Sequence, residues 1–525
     1  MPPSAKASAR SETGAEKASN AARTVQLTPM LRHYLEVKAE HPDALLFYRM
    51  GDFYELFFDD ARTAAPVLEV TLTARHKGKE SEVPMCGVPH HALDAYLGKA
   101  VEAGYKVAIC EQVEDPADAK GLVRREVTRV VTPGTVSEPE LLEGKEHNLL
   151  VAVAWDEDPE AGGAPSGAGA FLDVSTGRFF VRRWAHPQAA IDDLRVLAPR
   201  EVLYRAGEQG EAEMPAEIAA WLDREGPTVS PLAEERWPGA RRAVDLLERQ
   251  LGVSTLRGFG LDDREPAVVA AAAALAYARD TQYSELDHVR TLSVRGSGDW
   301  MVLDPTTLAN LEVFRNLREG GRRGTLISVL DRTATAPGGR TLRDWLRWPL
   351  RSPEAIARRQ RAVRVLVEDG GLRDRVRERL SRIGDLERLL SRAVLGSLAP
   401  REAATLRDGL LALPDLFAEI EGGGRIDGLD GAMEMEGSDL LAELAGTDPV
   451  AELAAELSRV LLDEPATNLA DGGVIAEGVD EELDRARSLA GDTKRHILAM
   501  EKREREETGI SSLKIRYNKV FGYYV

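Results

Sequence analysis

At 525 residues, with 43% hydrophobic and 30% charged side chains, the chain is long enough for three or four domains with separate cores. No apolar run approaches the ~20 residues of a membrane-spanning helix, and a formal charge of −19 excludes binding nucleic acid through overall charge, so any such contact must come from local basic patches. Cys86 and Cys110 are the only cysteines, which leaves no disulfide framework or zinc pattern and points to a reducing compartment.

Residues 1–24 are Ala, Ser, Lys, Arg and Glu with few large apolar side chains, and read as a disordered tail; Glu12 and Glu16 count against a transit peptide. Thr28-Pro29 then gives an N-cap followed by proline at the first helical position, with Met30, Leu31, Tyr34 and Leu35 on one apolar face. Leu45 to Met50 is short, apolar and aromatic, as a buried strand is, and Gly51 allows the chain to turn out of it. The spacing predicts a helix next. Asp52 with Glu55 three residues on has the capping-box pattern, and Leu56, Phe57, Ala61, Ala64, Ala65 and Leu68 continue it. On that reading Phe53 is a core side chain four residues before Phe57, and Glu55 is the capping partner.

Strand and helix continue to alternate through Val83 to His91, a helix over Ala92 to Ala103, a strand over Tyr105 to Val113, and another over Val127 to Thr135, so the first domain is mixed α/β. His90-His91 is a weak metal candidate, because adjacent side chains diverge and no carboxylate or thiol sits at ligand spacing. Four segments in this order carry a likeness: Phe47-Tyr48-Arg49-Met50-Gly51-Asp52-Phe53-Tyr54-Glu55-Leu56-Phe57, Met85-Cys86-Gly87-Val88-Pro89-His90-His91-Ala92, Val107-Ala108-Ile109-Cys110-Glu111-Gln112 and Arg129-Val130-Val131-Thr132-Pro133-Gly134-Thr135. Together they resemble the MutS family of DNA mismatch-repair proteins. The resemblance implies that Phe53 enters the minor groove and stacks on a mispaired base while Glu55 hydrogen-bonds it.

Beyond a boundary near Leu141 to Glu146, strands flank the Gly-Pro-rich loop Asp156 to Gly169, which resembles the family's connector domain with its ribonuclease-H-like fold. Asp173 stands where a nuclease of that fold could hold a metal, but no second acid is seen at a comparable strand end. From Pro266 the composition turns helical, with Val268 to Asp280, Leu308 to Leu317 and Arg373 to Val394 as helices of a bundle. The likeness continues in Leu303 to Glu312, Gly324-Thr325-Leu326, Leu330 to Thr333, Leu342 to Leu346 and Pro349-Leu350; Pro337 replaces the family's usual Met before Gly338. Arg358, Arg359, Arg361 and Arg364 read as a solvated helix face rather than a DNA groove. Glu481 to Glu507 is a long charged helix resembling the family's lever. The strand from Leu513 to Val525 resembles the start of its clamp, and Lys514, Arg516 and Lys519 on it suit phosphate contacts; without the resemblance an ordinary exposed strand serves as well.

The fold expected is thus multidomain α/β plus all-α: a tail at 1–24, a mismatch-recognition domain at 25–143, a ribonuclease-H-like connector at 147–262, a helical core with levers at 266–490, and a truncated β clamp at 491–525. No G-x-x-x-x-G-K-[ST] loop occurs, so ATP and magnesium belong to a domain this chain does not carry, and the chain reads as an N-terminal portion without catalytic residues or metal site of its own. The resemblance implies double-stranded DNA with mismatches or small loops as partner, a homodimer for the intact protein, downstream repair factors, no membrane, and a cytoplasmic location. Two other classes fit the same residues: a helical scaffold or adaptor without mismatch preference, in which Phe53 is core, and a metal-dependent nuclease using the connector.

Overall fold

The computed structural model describes residues 28–75, 82–114, 123–156, 167–296, 298, 300–422, 439–510, 512–518 and 522–524. The tail at 1–24 lies outside them. The chain divides into two compact units, Met1–Leu398 with Leu416–Gly446, and Ala399–Asp415 with Thr447–Val525.

The first unit opens on helix α1 (Pro29–Glu40), whose N-cap Thr28 accepts from the Leu31 amide. A six-stranded sheet follows, ordered β3-β4-β2-β1-β5-β6, from β1 (Ala44–Met50), β2 (Phe53–Phe57), β3 (Thr73–Arg75), β4 (Val83–Pro89), β5 (Lys106–Gln112) and β6 (Arg125–Val131). Strands β1 and β5 pair in parallel; β1–β2, β2–β4, β3–β4 and β5–β6 are antiparallel. Met30, Leu31, Tyr34 and Val37 of α1 cover one face, over Leu46, Tyr48, Phe57, Ala108 and Cys110. Helices α2 (Phe58–Leu68) and α3 (Leu93–Glu102) cover the other, over Leu45, Phe47, Tyr54, Leu56, Val107 and Ile109. Burial on both faces is why Leu45 to Tyr48 is continuously apolar instead of alternating.

The helix expected from Asp52 onward is not formed. Phe53–Phe57 is a strand, and Met50 pairs with Phe53 across the two-residue loop Gly51-Asp52, where Gly51 takes the left-handed φ of 59° that closes a hairpin. Asp52 therefore caps nothing; its carbonyl accepts from the His90 amide at 2.8 Å. The helix begins at Phe58, with Asp59 and Asp60 in its first turn, where carboxylates favour the helix dipole.

A second six-stranded sheet is ordered β11-β10-β7-β8-β9-β12. Strands β7 (Leu150–Trp155), β8 (Gly167–Asp173) and β9 (Arg178–Trp184) form an antiparallel meander; β10 (Glu201–Arg205) lies parallel to β7, β11 (Thr228–Leu232) parallel to β10, and β12 (Ser293–Val294) parallel to β9. Helices α4 (Pro187–Leu197) and α5 (Ala216–Glu225) pack on one face, α6 (Ala240–Leu251) and α7 (Pro266–Gln282) on the other. The Ala-rich helix that composition assigns to the bundle is α7. It packs against the second sheet instead, and its alanines at 270–274 are wholly buried there, as a helix apolar all round must be.

After the sheet the chain is helical: α8 (Pro305–Asn310), α9 (Leu326–Leu330), α10 (Ala336–Arg347), α11 (Pro353–Glu368), α12 (Gly370–Leu380), α13 (Leu386–Val394), α14 (Pro400–Gly422), α15 (Asp439–Ala445), α16 (Ala451–Val460) and α17 (Glu481–Thr508). The helix expected over Leu308 to Leu317 stops at Asn310, and Glu312 turns to a φ of 46°. The one expected over Arg373 to Val394 is two, α12 and α13, broken at Gly384-Asp385, where Asp385 accepts from the Arg388 amide as the N-cap of α13. Pro337 sits in the first turn of α10, where no amide is needed, behind the N-cap Thr335. In the second unit, α17 spans 28 residues, about 42 Å at 1.5 Å per residue. It runs unbroken through residue 490, from the N-cap Asp480 to Gly509 at a φ of 71°. A short antiparallel hairpin, β13 (Arg516–Asn518) with β14 (Gly522–Tyr524), follows.

Candidate nucleic-acid interface

Strand period 2 puts Phe53, Glu55 and Phe57 on one face of β2 and Tyr54 and Leu56 on the other. Tyr54 and Leu56 are buried under α2 and α3. On the opposite face, Phe57 is covered by α1: its ring meets Tyr34 edge-on at 5.1 Å, and its amide donates to the Tyr34 hydroxyl at 3.2 Å. That hydroxyl donates in turn to Asp60 at 3.0 Å, and Asp60 also accepts from the Leu46 amide and pairs with Lys38 at 2.8 Å. One buried carboxylate thus ties α1, β1 and α2 together at the root of the hairpin. Outward from this point the strand outruns its helix. Glu55 is half-buried, and Phe53 at the tip is 47% exposed.

Glu55 is poised for a partner. Its Oε2 is buried and has no hydrogen-bond partner among the described residues; the Arg75 guanidinium stands 3.7 Å away, near enough for charge but not for a hydrogen bond. Burial pushes the carboxyl above its ordinary range, and Arg75 opposes this. Gly87 lies opposite Glu55, and a Cβ there would press on the Tyr54 carbonyl oxygen at 3.3 Å while only touching Glu55 Cγ at 3.6 Å, so glycine serves the close approach of β4 to β2. Behind the hairpin, Arg125 donates to the Arg49 carbonyl at 2.8 Å and lies over the Tyr48 ring, while the Tyr54 hydroxyl donates to Glu111. The structure therefore brings Phe53 and Glu55 together on one exposed strand end, one an apolar ring and the other a carboxyl able to accept, or when protonated to donate. Arg75 is the residue that local sequence pattern does not reveal. By composition it belongs to the charged loop Arg75 to Glu82, and only its place on β3, paired with Val83, turns it to this face.

Lys514 and Arg516 are exposed in the second unit, Arg516 on β13 opposite Tyr524; Lys519 lies outside the described residues. Arg358 reaches Asp439 at 2.9 Å and also Glu443, Arg361 stands 3.6 Å from Asp439, and Arg359 stacks 3.9 Å over the Trp345 ring, so three of the four arginines on α11 hold neighbouring helices. Asp173 is wholly buried, and both its oxygens are engaged: Oδ2 by His147 at 2.9 Å and the Asn148 amide, Oδ1 by the Ser175 amide and hydroxyl. Burial raises its carboxyl, but the His147 and Ser175 contacts outweigh it and hold the group below the usual range. Among the described residues no group of three or more His, Cys, Asp or Glu is placed to hold a metal, and no helix is long and apolar enough to cross a membrane.

Comparison with known families matches MutS domain I over residues 28–140, MutS domain II over 148–290 and MutS domain III over 306–515. Three proteins named DNA mismatch repair protein MutS illustrate the similarity. Those of Symbiobacterium thermophilum and Anaeromyxobacter sp. (strain K) are 43% identical over 512 and 508 residues, covering 95% of this chain and 55% and 53% of their own lengths. That of Myxococcus xanthus is 43% identical over 499 residues, again 95% of this chain and 53% of its own. The chain spans about half the length of the curated relatives it matches.

Proposed function

The chain belongs to the MutS family, and on that premise we propose that it senses mispaired or looped-out positions in duplex DNA, with Phe53 as the wedge stacked on the mispaired base and Glu55 as its hydrogen-bond partner. The observation that carries this reading is the pair itself: a phenylalanine 47% exposed at the end of a strand whose other aromatics are buried, two residues from a carboxylate oxygen without a hydrogen bond among the described residues. A mispaired step costs less to unstack than a paired one, so an apolar wedge selects through DNA deformability as well as contact.

The remaining elements take their places around that act. The second sheet, a three-stranded meander extended by two parallel strands on its first strand, serves as the ribonuclease-H-like connector; α17 serves as a lever, and the β13–β14 hairpin as clamp, with Lys514, Arg516 and Lys519 on phosphates. Coupling to ATP and magnesium, homodimer formation and the recruitment of repair factors are carried by the intact protein. A scaffold without mismatch preference gives no reason to leave Phe53 in solvent, and a nuclease has no free carboxylate at Asp173. A duplex carrying 2-aminopurine beside a mispair tests the proposal: binding should change the fluorescence of the mispaired duplex and leave its matched counterpart unchanged. Equal responses from the two duplexes would refute it.

A further inference from the structure

Between the second sheet and helix α10 lies a cleft of about 360 Å³ in which positive charge outweighs negative. Four guanidiniums line it, from Arg178, Arg290, Arg295 and Arg340, against two carboxylates, Asp344 and Glu387. Both acids have an arginine partner: Asp344 accepts from Arg178 through Oδ2, its buried Oδ1 having no hydrogen bond among the described residues, and Glu387 accepts from Arg340 at 2.6 Å. Arg340 is further held by both oxygens of Asp385, at 2.7 and 2.8 Å.

Arg295 is left over. Its guanidinium carbon lies 4.5 Å from the Phe180 ring centre and 4.4 Å from that of Trp348, and among the described residues no carboxylate stands within ion-pair distance of it. Arg178 also lies over the same two rings, at 5.5 and 5.9 Å, so two like charges share one aromatic platform. Burial, with Arg178 and Arg182 nearby, presses the Arg295 guanidinium down to about 10, and Asp344 only partly opposes this. Arg295 is partly buried and open to the cleft, and a guanidinium set between two rings beside another cation is relieved when an anion joins it. Its planar fork is suited to two oxygens of one oxyanion, and the side chains of Thr176, Thr291 and Thr341 line the same space as further donors.

We propose that this cleft is a phosphate-binding site, in which Arg295 and Arg178 take the oxygens of inorganic phosphate or of a phosphate monoester such as a mononucleotide. Set against Asp344, Glu387 and the Asp385 that holds Arg340, the four guanidiniums leave one positive charge in surplus, which favours an anion, and the volume admits a small molecule but not a helix or a duplex. The site stands apart from Phe53 and does not depend on the mismatch reading.

Isothermal titration of the 525-residue chain with inorganic phosphate, and separately with a nucleoside 5′-monophosphate, against chloride at matched ionic strength, tests it. One saturable site is expected, weakened at least tenfold in Arg295→Gln and less in Arg295→Lys. Equal affinity for the two ligands assigns the cleft to free phosphate, and tighter binding of the monoester assigns its remaining volume to the nucleoside. Absence of saturation, or an Arg295→Gln variant of native circular dichroism with parental affinity, would overturn the proposal. If Arg295→Gln fails to fold, anomalous density from selenate in crystals of the parent chain decides: a peak within hydrogen-bond distance of the Arg295 guanidinium supports the site, and an empty cleft rejects it.

Discussion

At the scale of single residues, neighbours on β2 have opposite fates because a strand alternates. Leu56 is wholly buried and Glu55 beside it is not; Tyr54 is 1% exposed and Phe53 is 47% exposed. Glu55 has a second consequence. Burial raises its carboxyl and Arg75 only partly offsets this, so the folded protein binds the proton more tightly than the unfolded chain does. Between the unfolded carboxylate range and the raised folded value the native state carries more protons, and stability falls as pH rises through that window. Above it the ionised carboxylate stays a cost to folding. Glu55→Gln should therefore melt higher than the parent at pH 7, with the gap closing as pH falls below the carboxylate range. A parent that melts higher than the variant at pH 7 would show that the contact with Arg75 outweighs burial. The same substitution replaces an ionised group that only accepts by an amide that also donates, so it should alter the preference among mispairs more than it alters binding to matched duplex.

At the scale of elements, the β1–β2 hairpin is a rigid stalk whose root is packed on both faces and whose tip is not. Its stability should therefore lie in the root. Leu56→Ala, which empties a wholly buried position, is expected to cost about 2–5 kcal/mol, and Gly51→Ala about 1 kcal/mol for forcing a side chain to a φ of 59°. Phe53→Ala should leave the unfolding free energy within about 0.5 kcal/mol of the parent in denaturant titration, as surface substitutions do. A Phe53→Ala variant as unstable as Leu56→Ala would return Phe53 to the core. The hairpin is also where local sequence pattern misleads, for a definable reason. Phe53 and Phe57 share a side at helical spacing and at strand spacing alike, and Asp-x-x-Glu after a glycine fits a capping box as well as a hairpin loop. What decides between them is pairing with β1 and with β4, which is some thirty residues away and invisible to local pattern. For the same reason the Ala-rich stretch is legible as a helix but not as the helix of the second sheet. The pattern of alternating strand and helix, and the long α17, are legible because they rest on local periodicity. At the site, the pairing of Phe53 with Glu55 comes from the resemblance, while their shared strand face and the approach of Arg75 are products of the fold.

At the scale of the whole molecule, a chain with a formal charge of −19 can hold a polyanion only through local cations. Lys514, Arg516 and Lys519, proposed to meet phosphates, carry no information about base pairing. Neutralising all three in a full-length protein should weaken matched and mismatched duplex by the same factor and flatten the dependence of binding on salt, by a slope of about 0.9 for each phosphate that is no longer neutralised. A weakening confined to mismatched duplex would assign them to recognition instead. Discrimination is expected to reside at Phe53, in a single stack worth about 1–3 kcal/mol. The measurement that bears most directly on this is competition binding of mismatched against matched duplex by the parent and by Phe53→Ala. The account predicts that the variant loses roughly ten- to a hundredfold of preference for the mispair while its affinity for matched duplex is kept; an Ala variant that discriminates as well as the parent would contradict it.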